Sequence, residues 1–136
     1  MSGNTPASAH QQRAVVYSCS GCSSAAQMAN HFALRLDHEG RADMSCIAGV
    51  GGGVAPLMHI ARSGRPLIAL DGCALACVAA TLRRHGLIPV AHLRLDVHGV
   101  RKRRKTAFDA EQADRLYLQL LEVLAPHLAP PDCGTE

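Results

Sequence analysis

Short apolar runs alternate along the chain with stretches where apolar residues recur every three or four positions, and the alternation repeats four times. The run over residues 13–18, Arg-Ala-Val-Val-Tyr-Ser, reads as a buried strand. From Ser23 or Ser24 to His38 the pattern turns helical. Serine supplies an N-cap, Ala25, Ala29, Phe32, Ala33 and Leu36 share one face, and Gly40 ends the segment. A brief strand over Ala42–Cys46 leads into Gly49-Val50-Gly51-Gly52-Gly53, then a helix from Val54 or Ala55 to Arg62 with Pro56 in its first turn.

After the turn Ser63-Gly64-Arg65-Pro66, residues 66–70 make the clearest buried strand. The spacing predicts a helix over 73–85, with Leu75, Val78, Ala79 and Leu82 facing inward and Gly86 as terminator. Residues 88–96 alternate in character and predict a half-exposed edge strand. The last helix starts at Asp109, a natural N-cap with Gln112 three residues on. Ala113, Leu116, Tyr117, Leu120 and Leu124 form its apolar stripe, and it stops near Pro126. This order implies an α/β fold: a three-layer α/β/α sandwich on a small, mostly parallel four-stranded sheet, Rossmann-like or flavodoxin-like. Residues 13–127 are expected to form one domain, between a disordered leader at 1–12 and a loose tail at 128–136.

Composition changes little in this picture but limits function. With no Trp and four other aromatics, the core must come from Ala, Val, Leu and Ile. The longest uncharged apolar stretch, about Cys46–Met58, is glycine-rich and shorter than the roughly 20 residues of a membrane span. The leader lacks the apolar core of an export signal. Six cysteines without such a signal point to the cytoplasm, where they serve as metal ligands or reactive thiols more often than as disulfides. The net charge of +3 is concentrated in Arg101-Lys102-Arg103-Arg104-Lys105. No aromatics interleave that run, so it reads as a solvated connection rather than a nucleic-acid surface. Nothing in the pattern names a partner or an oligomeric state.

The cysteines carry the chemistry. Three predicted strands run into them: Cys19 and Cys22 after the first, Cys46 after the second, Cys73 and Cys77 after the third. In an open parallel sheet the carboxyl ends of the strands share one edge, where ligand crevices form. Five thiols scattered over some sixty residues can meet there. Zinc favours four thiolates in a tetrahedron. Spacing alone favours Cys19, Cys22, Cys73 and Cys77, since Cys19-x-x-Cys22 has the form of a metal hairpin and Cys73 and Cys77 would project from one helical face. A purely structural role as small buried hydrophobes suits any one cysteine but not five at strand ends.

Asp71, before Gly72 and Cys73, can hydrogen-bond backbone amides or steer a ligand, and Ser20 can donate to a thiolate. The Asp71-Gly72 pair also suits a plain turn. The glycine-rich loop lacks the Lys-Ser/Thr of a phosphate-binding loop. The eight histidines do not cluster at ligand spacing, and His59 is the least unsuitable extra ligand. Four thiolates would also suit an iron–sulfur cluster. Alternatively, Cys19 and Cys22 could serve a thiol redox or sulfur-transfer enzyme, with Cys19 attacking.

Tyr17-Ser18-Cys19-Ser20-Gly21-Cys22-Ser23, Met44-Ser45-Cys46-Ile47-Ala48-Gly49-Val50-Gly51 and Asp71-Gly72-Cys73-Ala74-Leu75-Ala76-Cys77 resemble the three signature blocks of the DGC-domain family, in the same order. The resemblance covers about residues 13–125. It implies a zinc site whose ligands fall on Cys19, Cys46, Cys73 and Cys77. Cys22 ranks last as a ligand, because many relatives carry Ala there. Ala74 stands where Pro is usual, a departure that removes no ligand.

Overall fold

The computed structural model describes residues 12–132. Nearly all of the expected leader, and Cys133, lie outside that range. Four parallel strands, β1 (Val15–Ser18), β2 (Asp43–Met44), β3 (Leu67–Asp71) and β4 (Ala91–Arg94), form one sheet in the order β2-β1-β3-β4. The helices are α1 (Ser24–His38), α2 (Ile47–Gly51), α3 (Ala55–Ala61), α4 (Cys77–Arg84) and α5 (Ala110–Leu124).

Side-chain alternation along β1 and β3 divides the core into two layers. Val16, Ile68 and Leu70 pack with Met28, Phe32 and Leu36 of α1 and Leu116, Tyr117 and Leu120 of α5. Val15, Tyr17, Leu67 and Ala69 face Val50, Met58, Val78 and Leu82 from α2, α3 and α4. Helices therefore cover both faces, and β1 and β3 are buried throughout. β4 lies at the edge with only Leu93 buried. No helix of the described residues is long and apolar enough to cross a membrane.

Local chemistry sets most boundaries as read. Ser23 Oγ accepts from Ala26 N–H at 3.1 Å and starts α1; Asp109 Oδ1 accepts from Glu111 and Gln112 N–H and starts α5. Three boundaries differ from expectation. β2 keeps only two residues, and Cys46 leaves the strand to cap α2, a five-residue helix the glycine-rich pattern hides. β4 stops at Arg94, where the chain closes into a 3₁₀ turn over Leu95–His98. The helix expected from Cys73 begins at Cys77 instead. Residues 73–76 form a turn closed by Ala76 N–H to Cys73 O at 3.0 Å, and Leu75 is 70% exposed rather than inward.

Candidate functional site

The strand order places a topological switch between β1 and β3, where the chain leaves the two central strands toward opposite sides. Cys19 follows β1 directly and Cys73 follows β3 by two residues, so both stand at that crevice. Cys19 is fixed from two directions: its N–H donates to Leu70 O at 3.0 Å, and its Sγ accepts from Gly72 N–H at 3.1 Å. Burial pushes its thiol up to about 11. The Gly72 hydrogen bond opposes that rise, while Asp71, Cys73 and Cys77 stand near enough to add to it by charge.

Each residue of Asp71-Gly72-Cys73 has a distinct position. Asp71 is 1% exposed. Its carboxylate reaches over the turn to accept from Val78 N–H at 2.7 Å and Ala79 N–H at 3.2 Å, and it meets His92 Nε2 at 2.8 Å. Ala76, the N-cap residue of α4, offers no side-chain acceptor, so Asp71 satisfies those helix amides from outside the helix. Gly72 is set by close approach: a Cβ there would lie 2.6 Å from the carbonyl of Ala25, in the first turn of α1. Cys73 Sγ has Lys102 Nζ at 3.5 Å.

Cys19, Cys73 and Cys77 therefore share one neighbourhood. Because residues 73–76 are a turn, Cys73 and Cys77 do not project from a common helical face, and the i,i+4 argument for them fails. Cys46 Sγ accepts from Gly49 N–H at 3.4 Å and caps α2. It opens on a cavity of about 580 Å³ lined also by Ser18, Ser20, Ser45, Leu57 and Ile60. Burial pushes the nearby Tyr17 hydroxyl above its ordinary range. Cys22 is exposed, as are Cys46 and Cys77. Among the described residues, no three His, Cys, Asp or Glu side chains stand at metal-ligand spacing. Ser20 is exposed and bonds no thiol, Ser18 Oγ turns to Asn30 Oδ1 at 3.3 Å, and His59 is exposed on α3.

Two basic groups escaped the sequence reading. Lys102 belongs to a run read as a solvated connection, yet its segment is docked on α1. Ser24 N–H donates to Arg103 O at 2.9 Å and Arg103 N–H to Ser24 Oγ at 3.0 Å. His92 meets Asp71 only because β4 pairs beside β3. Neither contact leaves a local signal, since one spans 29 residues and the other 21.

The chain is thus a parallel α/β domain with cysteines along the carboxyl edge of its sheet and an Asp-Gly-Cys turn after its third strand. The chain belongs to the DGC-domain family, which matches residues 15–120. It is 54% identical over 112 residues to the anaerobic and virulence modulator AnvM of Pseudomonas aeruginosa, an alignment covering 82% of this chain and 86% of that one. No solved structure matches it significantly.

Proposed function

We propose that this protein is a zinc-binding regulatory protein whose ion is held by Cys19, Cys73 and Cys77 at the switch point, with Cys46 as fourth ligand. The observation that carries the reading is the half-buried Cys19 thiol with two further cysteines in electrostatic reach. Concentrating thiolates in a partly buried crevice is unfavourable alone, and a bound dication reverses that penalty. The donors suit zinc. The described thiols are short of ligand spacing, so closing the site is part of binding. A closed thiolate set leaves no open position for activated water, which argues against hydrolysis. The relative's description as a modulator supports a regulatory role over an enzymatic one. The same reading keeps the protein in the cytoplasm, where its free cysteines persist.

A redox or sulfur-transfer role for Cys19 and Cys22 is less favoured. It needs Cys19 as a thiolate at neutral pH, and burial holds that thiol protonated. Metal analysis of freshly purified protein tests the proposal. We expect near-stoichiometric zinc, lost on alanine substitution at Cys19, Cys46, Cys73 or Cys77 and kept in Cys22→Ala. Iron in place of zinc, or zinc content indifferent to Cys73→Ala, would overturn it.

A further inference from the structure

We propose that a second site, separate from the thiols, binds a phosphorylated small molecule. It is a cavity of about 460 Å³ between the first turn of α1, the segment 99–109 and the first turn of α5. That volume falls within the range of small-molecule pockets. Arg101, Arg103 and Arg115 line it, and none of the three forms an ion pair or a side-chain hydrogen bond among the described residues. Arg13, Arg35, Arg41, Arg65 and Arg94 each meet a carboxylate, whereas Arg62, Arg83, Arg84 and Arg104, like these three, meet none among the described residues; what sets the three apart is that they line one cavity. The wall carries one carboxylate, Asp109, which is occupied in capping α5.

The three guanidiniums are exposed, so solvent screens them, and together they concentrate positive charge that a multiply charged anion can join. Guanidinium recognises phosphoryl oxygens through paired hydrogen bonds, and two or three such groups match a phosphate or pyrophosphate.

The backbone carrying two of these arginines is held independently of any ligand. Ser24, 4% exposed, makes the two hydrogen bonds to Arg103 described above, and its Oγ lies 3.4 Å from Arg101 O. Gln112 Nε2 donates to Gly99 O at 3.2 Å and ties the segment to α5. The site is thus preorganised at its backbone, which lowers the ordering cost of binding. The first turn of α1, which has no acidic residue, also borders the cavity and adds positive potential. Met28, Val100 and Phe108 add apolar atoms to the lining, and Phe108 already pairs with the His31 ring at a centroid distance of 5.0 Å. A ligand with an anionic end and an apolar body fits such a mixed lining. Along the same segment Lys102 turns away from the cavity to Cys73, so residues 101–103 border both sites.

Calorimetric titration of the full chain with ADP, and separately with pyrophosphate and adenosine, tests the assignment. Saturable binding of ADP and pyrophosphate is expected, and none of adenosine. Arg103→Gln and Arg115→Gln should each weaken ADP binding about tenfold or more, the loss of a charge-assisted contact. Arg83→Gln, on α4 outside the cavity, should leave it unchanged. Tighter binding of ADP than pyrophosphate would assign the apolar part of the lining to the nucleoside, and equal binding would assign recognition to the phosphoryl group alone. The proposal fails if neither phosphate compound saturates at millimolar concentration, or if the arginine variants bind as the parent does. It also fails if a DNA duplex competes with the same arginine dependence and higher affinity, since the surface would then be a nucleic-acid one.

Discussion

Asp71 joins three elements with one carboxylate. It ends β3, accepts two amides of α4, and reaches His92 on β4. A buried acceptor with several donors cannot be removed without leaving those donors unpartnered. Asp71→Ala should lower stability by about 3 kcal/mol, summing a lost helix cap and an orphaned amide. Asp71→Asn, which keeps one acceptor oxygen, should cost less. Denaturant midpoints compare the two, and equal midpoints for Asp71→Ala and the parent would refute this role. The neighbouring glycine is constrained differently, by the α1 backbone against which it packs. The Asp-Gly pair is therefore readable as a turn from sequence, whereas its two separate constraints exist only once α1 and α4 are in place.

At the scale of elements, the start of α4 shows where pattern and structure part. Cys73-Ala74-Leu75-Ala76 has good helix formers, so periodicity extends the helix back to Cys73. The Asp71 carboxylate instead claims the amides of Val78 and Ala79, and the helix starts where those amides are capped. Ala76 turns the chain into it with φ 51° and ψ 51°, a left-handed conformation that disfavours a side chain. Ala76→Gly should therefore raise stability by up to about 1 kcal/mol, visible as a higher melting temperature. A fall would contradict that conformation.

The other end of α1 is held by charge. Glu39 accepts from Arg41 Nε at 2.7 Å and from Tyr117 Oη at 2.8 Å, with Arg35 lying 3.8 Å over the Tyr117 ring. Burial works against ionisation of Glu39, but the hydrogen bonds from Arg41 and Tyr117, and the charges of Arg41 and Arg35, hold its carboxyl below the usual range. With the folded pKa the lower, the stabilisation is complete above the ordinary glutamate pKa of about 4.3 and is lost as pH falls through the folded value. Melting temperature should drop over that acidic window in the parent and drop less in Glu39→Gln. Parallel curves would contradict the assignment. The caps at Ser23 and Asp109 were legible because a cap is a local event. The α1–α5 clamp was not, since Glu39 and Tyr117 lie 78 residues apart.

For the whole molecule, the strand order turns scattered cysteines into neighbours. β1 and β3 pair in parallel at the centre of the sheet, so residues just past their ends, Cys19 and Cys73, arrive at the same crevice. That much follows from reading three strands into cysteine, because parallel pairing sends all carboxyl ends to one edge. Which cysteines approach closest was not readable from spacing. The turn at 73–76 changes the direction of Cys73, and Cys46 is drawn into capping α2. Lys102 reaches the site from a segment whose sequence gave no sign of it. Zinc K-edge X-ray absorption of the zinc-loaded protein reads the ligand set itself. Thiolate ligation gives a shell of sulfur at about 2.3 Å. A shell dominated by nitrogen or oxygen near about 2.0 Å would contradict it.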